Sequence, residues 1–483
     1  MRNAKKLVLV LAVAVFAMSF MACTKDKKAT DTPTPTQAAT NVPTQDVTTP
    51  TPTPRDCKGI EVTLLDWWSN ADPTADGYWR KPQNQYQTVF FDMLSDAEET
   101  YNFKFARKNA DYGWGDKYIE ATTLSITNNK PDGQIITMDN RWIASLLSNG
   151  QFTDVSKVST VNWDDEKWNA KVKEVMTING GLYGFAAGTE ARTGVFFNKG
   201  IFKQFNISVD LPYDLQKEGK WSWEEFSKLC KDLTKDTNND GITDVYAVCG
   251  QDYIVAYGAM QSNGVFVIEK EANGLLKVNA SDSKVIDALN FVRSLDDDGY
   301  MFPRPETVDG TNWDFFKKAF YDNKVAMYIE EEWADTQEIR VNSPELDYGF
   351  VCFPYGPATG KLVSIIRENI LFVPSCPATA DVVEDILFAY NIYTSTPEEY
   401  KGDDAIWQSS YDWKFNDERA VNETIRLMVK DLPQLMYAAT LIPKFGDEGW
   451  PGELQAGSTV AEVLESWTPR WEDEVGEFNA KFK

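Results

Sequence analysis

Histidine is absent from all 483 residues. That absence removes Ser-His-Asp and Cys-His nucleophile systems and any His-ligated zinc. Chemistry, if the chain performed any, would rest on carboxylates, Lys, Tyr or a bound metal. Cysteine is scarce, with six in the chain, and none has CxxC spacing, which excludes a zinc ribbon. Beyond Cys23, the pairs Cys230–Cys249 and Cys352–Cys376 suit disulfides outside the cell. Five is an odd number once Cys57 is added, so buried free thiols are an equally good reading. Positive charge is short too: 48 Lys and Arg face 73 Asp and Glu, a net charge of −25. This disfavours nucleic acid, phosphate-rich partners and a broadly anionic ligand. Solubility alone is the plainer account of the same charge. A long hydrophobic run is also missing. The apolar stretch Leu7–Ala22 has 16 residues, short of the roughly 20 that span a bilayer.

What is there begins at that stretch. Arg2, Lys5 and Lys6 precede it and small residues end it, the pattern of an export signal over residues 1–22. Phe20-Met21-Ala22-Cys23 resembles the bacterial lipobox, which makes Cys23 the expected lipidation site and mature N-terminus. An ordinary secretory signal with a chance Cys is the alternative. Removing residues 1–22 takes away three basic groups, so the mature charge is 45 − 73 = −28. Residues 24–55 hold 11 Thr and 6 Pro with no Leu, Ile, Phe, Trp or Tyr. Such a segment buries too little apolar surface to offset its ordering entropy. Thr-Pro alternation favours extended polyproline, so residues 23–55 are expected to form a tether reaching ~100 Å.

The remaining residues 56–483 are too many for one ordinary compact core, and two lobes are expected. Strand and helix signals alternate. Residues 60–65 read as a first strand opening into the Asp66–Asn70 loop, and residues 89–101 as a helix. Residues 134–138 read as a second strand, and residues 141–149 as a helix stopped by Gly150. This alternation indicates an α/β sheet whose ligand lies beyond the C-terminal strand ends, near Trp67, Trp68, Asp139 and Asn140. Several of the 16 Trp sit in polar, turn-rich stretches, including Trp67, Trp68, Trp114 and Trp333. A flat aromatic face beside carboxylates and amides suits a sugar, whose C–H face packs on the ring while its hydroxyls find Asp, Glu and Asn. Taken singly, each such Trp is more commonly structural.

Residues 182–202 run LYGFAAGTEARTGVFFNKGIF, residues 218–226 EGKWSWEEF, residues 324–333 KVAMYIEEEW and residues 347–357 DYGFVCFPYGP. In order and spacing these segments resemble the extracellular solute-binding proteins of family 1, the receptors of sugar ABC importers. The resemblance covers roughly residues 60–400. It implies an α/β, two-lobed periplasmic-binding-protein-like fold (type II) with a hinge cleft. The implied first lobe is 56–188 with 362–410, and the second is 189–361 with 411–483. Carried over position by position, Glu190 matches a sugar-contacting acid at the lobe crossing, and Trp333 a stacking ring. Arg367, Glu368 and Asn369 fall in the returning segment, and Asp66, Trp67 and Trp68 in the loop after the first strand. Trp114, Asp139 and Arg192 complete the expected ligand-binding set. The 70–87 insertion, with Tyr78, Trp79 and Arg80, departs from the family pattern. The resemblance further implies a monomer on the extracytoplasmic membrane face, held by the Cys23 lipid and serving an ABC permease.

Asp236-Thr237-Asn238-Asn239-Asp240-Gly241-Ile242-Thr243-Asp244 has chemistry of its own. Oxygens from Asp236, Asn238, Asp240 and Asp244, with the Ile242 carbonyl and Gly241 at position 6, suit a structural Ca²⁺. Position 12 is Ala247, so the bidentate Glu of an EF-hand is missing. A capped polar turn is the simpler reading. Two other functional classes share the acidic, Trp-rich composition: a surface-anchored glycosidase using two carboxylates, and a ligand-presenting partner of a membrane sensor. Nothing in the sequence singles out a catalytic pair, so no enzymatic activity and no required cofactor is expected.

Overall fold

The computed structural model describes residues 55–482, apart from 111–112, 309–310, 377, 403–410, 412–414, 444 and 446–448. The expected signal, the tether and Cys23 therefore lie outside the described residues.

Two four-stranded sheets organise the chain. The first contains β1 (Ile60–Asp66), β2 (Phe103–Asn109), β3 (Ile135–Met138) and, from far along the chain, a late strand (Ile370–Phe372). The strands β1, β2 and β3 are parallel, with Leu64 opposite both Arg107 and Ile135. The late strand runs antiparallel to β3, with Ile370 opposite Met138. Every residue of β3 is buried, as expected for a strand covered on both faces. Parallel neighbours need long crossovers, supplied by helices Gln85–Tyr101 and Asp116–Thr127.

The first helix starts four residues earlier than its hydrophobic pattern suggests. Asn84 caps it by accepting the Gln87 amide at 2.8 Å. β2 has no counterpart in the sequence expectation, and the strand expected second is in fact third. Lys104, Arg107 and Lys108 hide β2 among charge, because it lies at the sheet edge and buries only Phe103 and Phe105 fully. The helix expected over residues 141–149 is confined to Ile143–Ser148. Gly150, at φ 67°, ends it.

The second sheet is built from β4 (Thr193–Asn198), β5 (Tyr246–Gly250), β6 (Val325–Glu331) and β7 (Tyr348–Cys352), in the order β7-β4-β6-β5. β4 is antiparallel to both β6 and β7, while β5 and β6 are parallel. Two glycines are required for it to close. A Cβ on Gly194 would stand 2.4 Å from the Phe350 ring, and one on Gly349 would stand 2.2 Å from the Phe197 ring. The late strand of the first sheet follows β7, and is therefore β8 in chain order.

The chain passes between the sheets at residues 186–192 and again at 353–369. Beside the return, Ser364–Ile365 pairs in parallel with Gln434–Leu435. The 70–87 insertion folds back against the first sheet. Trp79 packs edge-on to Phe91, Phe105 and Tyr393, and Arg80 forks onto the buried Glu98 at 3.0 and 2.8 Å. The five described cysteines are free thiols, and all but Cys376 are buried. Among the described residues, no helix is long and apolar enough to cross a membrane.

Candidate functional site

β1 ends at Asp66, Asp139 directly follows the end of β3 at Met138, β6 ends at Glu331, and the antiparallel β4 begins beside that end, with Thr193 opposite Glu331. Arg367, three residues before β8, reaches both sheets. It grips Glu331 with two bonds of 2.6 Å and touches Asp139 at 3.3 Å. Asp139 is also forked by Arg141, at 3.0 and 3.1 Å. Trp333 donates its indole N–H to Glu331 at 2.7 Å. All four ion-pair members are largely buried, which makes their pairing obligatory.

The fields follow from that arrangement. Burial opposes ionisation of Glu331, but Arg367 and Arg192 outweigh it and hold the carboxyl at about 2. Burial likewise opposes ionisation of Asp139, which Arg141 and Arg367 hold well below the usual carboxylate range. Glu330 points to the other face of β6, where burial and the Glu331 charge push it up to about 8.

A second group lies at the crossing before β4. Arg192 is buried and pairs with Glu190, which is half exposed. The Glu190 amide donates to the buried Glu368 at 2.9 Å. Burial pushes Glu368 up to about 8, with Arg192 pulling the other way and Glu190 adding to the rise. Arg192 also feels Glu331, which joins this group electrostatically to the first.

The third group is aromatic. Asp66 is fully buried. It accepts the Trp68 and Ser69 amides at 3.0 and 2.7 Å and is held by Arg107, so it shapes the loop. Trp67 packs edge-on to Trp68, at 4.9 Å, and tilts against Trp142 at 6.0 Å. Trp142 in turn meets Trp114 at 4.8 Å. Trp68 and Trp114 remain 52% and 54% exposed, unusual for so large an apolar side chain. Arg141 stands 5.3 Å from both the Trp114 and the Tyr253 rings, tying the aromatic group to the ion pairs.

The structure thus gathers Asp66, Trp67, Trp68, Trp114, Asp139, Glu190, Arg192, Trp333, Arg367 and Glu368 into one array at facing strand ends. Sequence reasoning missed Arg141, Trp142, Tyr253 and Glu331 as members. Arg141 and Trp142 directly follow Asp139-Asn140, and that proximity was a usable signal. Tyr253, in the helix Asp252–Ser262 after β5, had none. Two surface hollows, one lined by Lys199, Asp347 and Asp417 and one by Arg55, Ser159 and Glu384, share no residue with the array.

The Asp236–Asp244 loop stands apart. Asp236 accepts the Asn239 and Gly241 amides at 2.7 and 2.8 Å, Asn238 that of Asp240, and Asp240 that of Ile242. Asp244 accepts both the amide and the hydroxyl of Thr237. Among the described residues, no group of three or more His, Cys, Asp or Glu converges in a way that could hold a metal ion. Ala247, at the twelfth position, is buried in β5.

The model of the bacterial extracellular solute-binding protein family matches residues 92–374, and the chain belongs to that family. No curated protein sequence matches it. Solved structures agree on the fold. UgpB from Mycobacterium tuberculosis, bound to glycerophosphocholine, superposes with a TM-score of 0.57 at 14% identity, covering 86% of this chain and 98% of its own. The GacH receptor of Streptomyces glaucescens, studied with acarbose, gives 0.54 at 13%, covering 86% and 99%. Lmo0181 from Listeria monocytogenes, bound to cycloalternan, gives 0.54 at 12%, covering 88% and 100%. These likenesses identify the α/β, two-lobed solute-binding fold.

Proposed function

We propose that the chain is the membrane-anchored receptor of an ABC importer and that it captures a carbohydrate, an oligosaccharide, between its lobes for delivery to the permease. The observation that carries this reading is the pair of half-exposed tryptophans, Trp68 and Trp114, flanking the Arg141–Asp139–Arg367–Glu331 chain where both sheets end. Aromatic faces take the C–H surfaces of sugar rings, and the paired charges offer hydroxyl groups both donors and acceptors. Each arginine of the array already has a carboxylate partner that offsets its charge, which weakens the pull on an anionic ligand. The ligands of GacH and Lmo0181 support the carbohydrate class. The glycerophosphocholine of UgpB marks the competitor that any screen must include.

In this reading the lobes are 56–188 with 362–410 and 189–361 with 411–483. They close like a hinge around the ligand without turning it over. The protein acts as a monomer on the extracytoplasmic face, held through lipid on Cys23 and the 23–55 tether. The reading requires no cofactor, and any Ca²⁺ at the Asp236 loop would be structural only.

Calorimetry on the unlipidated mature chain tests the central claim, against mono- and oligosaccharides with glycerophosphocholine and peptides as competitors. Saturable binding of an oligosaccharide with Trp quenching is expected. Binding of only a non-sugar ligand would reject the carbohydrate while leaving the receptor. Release of a sugar product would replace the receptor with a glycosidase. For the anchor, Cys23→Ala should abolish lipid labelling and membrane retention of the processed protein.

A further inference from the structure

A second bridge, sharing no residue with the candidate site, joins the parts of the chain that carry the two sheets. Helix Ala170–Met176 belongs with the first sheet. The chain just beyond it exchanges backbone bonds between Phe185 and Leu371 of β8, and Asn169 N–H donates to Ala186. The hairpin of Ile268–Lys270 and Leu276–Val278 belongs with the second sheet. It follows helix Asp252–Ser262 and is pinned to the C-terminal helix Val460–Lys481, where Leu276 and Asn479 bond reciprocally at 2.9 Å. Lys270 leaves this hairpin and caps the helix end. Its ammonium donates to the carbonyls of Glu174 at 2.7 Å, Val175 at 3.2 Å and Thr177.

Three carbonyl acceptors satisfy the three donors of an ammonium. The last carbonyls of a helix lack intrahelical partners and carry the negative end of its dipole, so a cation there is favoured. Lys270 is mostly buried in doing this, and that desolvation lowers its pKa from the ordinary value, with Glu174 partly offsetting the fall. A flexible lysine placed this way across 93 residues of sequence is held by tertiary contact alone.

We propose that Lys270 is a latch that holds the two sheet-bearing lobes in their described arrangement and sets how readily the hinge samples another. The latch rests on the two-lobed hinge reading and not on the identity of the ligand. It also lies outside the array proposed to touch ligand. Loss of its bonds would release the hairpin from the helix end without unpairing a buried carboxylate.

Pulsed electron-spin distance measurement tests it on the ligand-free mature chain. Spin labels go on Leu124→Cys and Val341→Cys, which are 60% and 69% exposed and sit on the first-sheet and second-sheet parts. Cys23 and Cys376 are replaced by Ser, leaving the buried thiols in place. The parent should give one dominant distance. Lys270→Ala and Lys270→Met should raise a second distance population roughly tenfold from a few per cent. Lys270→Arg should stay near the parent, because a guanidinium still donates to the same carbonyls. Superimposable distributions for the parent, Lys270→Ala and Lys270→Met, with unchanged circular dichroism, would overturn the latch. Because no ligand is present, that outcome is independent of whether a sugar binds.

Discussion

The strand-end array and the Asp236–Asp244 loop are both clusters of carboxylates that stood out in the sequence, yet they are built in opposite ways. In the loop, every side-chain bond spans two to seven residues, and the carboxylates turn to amides of their own turn. In the array, Arg367 reaches Asp139 across 228 residues and Glu331 across 36. The loop is exposed, and the ion pairs of Asp139, Glu331, Arg141 and Arg367 in the array are largely buried. The same residue types therefore act as turn caps where water is close, and as strongly perturbed, mutually dependent charges where water is excluded. A carboxylate's role follows from which segments meet around it.

The comparison breaks most visibly at Arg367. Arg367→Ala leaves Glu331 and Asp139 buried without their shared partner, and should cost about 3–5 kcal/mol. Denaturant unfolding reads this as a lower midpoint. A loss below about 1 kcal/mol would mean the array is as solvated as the loop. The next effect is a pH dependence to which the array contributes at both ends of the range. The fold lowers Glu331 from its ordinary 4.5 to about 2, so the stability it contributes is present above 4.5 and is lost as pH falls toward 2. The fold raises Glu368 from 4.5 to about 8, so its contribution is present below 4.5 and is lost as pH rises through 8. Glu368→Gln should therefore reduce the slope of the melting profile between pH 5 and 8, leaving the part due to Glu330 and Asp296, and melt above the parent at the alkaline end. An unchanged profile would mean Glu368 is not charged by that rise.

A smaller effect separates ligand faces from scaffold. Trp68→Ala and Trp333→Ala should each weaken oligosaccharide binding about tenfold, ~1.4 kcal/mol, in calorimetry. Glu190→Gln should be milder than Glu190→Ala, since the amide keeps an oxygen acceptor. Binding that survives all of these places the ligand elsewhere. The smallest effect belongs to the loop. If Ca²⁺ binds there, chelation should lower the melting temperature by about 2 °C, and Asp240→Ala should remove that response. If the carboxylates are only turn caps, chelation leaves the curve in place.

Much of the scaffold was legible because it is locally encoded. β1, β3 and the helix Gln85–Tyr101 follow from apolar runs and a cap. β2 was hidden because an edge strand buries only alternate residues and can carry Lys and Arg on the rest. The site was legible as a collection of residues but not as a set of roles. Asp66 was expected among the ligand contacts, and its buried bonds to the backbone of its own loop could not be read from the sequence. Trp79 and Arg80, set in an insertion that departs from the family pattern, pack on the first sheet and on Glu98. Tyr253 was invisible, because its place between Arg141 and Arg367 depends on helix Asp252–Ser262 meeting the other sheet's strand ends.

By itself, the sequence determined what depends on composition and short-range order. It ruled out histidine chemistry and carried the alternation of strands and helices that makes two α/β sheets, while the leader and tether expected of residues 1–55 fall outside the described residues apart from Arg55. The tertiary structure alone decided which carboxylates are ionised, which tryptophans stay uncovered, and which cations join the sheets, Arg367 at the strand ends and Lys270 at a helix end. The reason is dielectric and distance. A charge buried by segments hundreds of residues apart takes its pKa and its partner from their meeting, and no local pattern records where they meet.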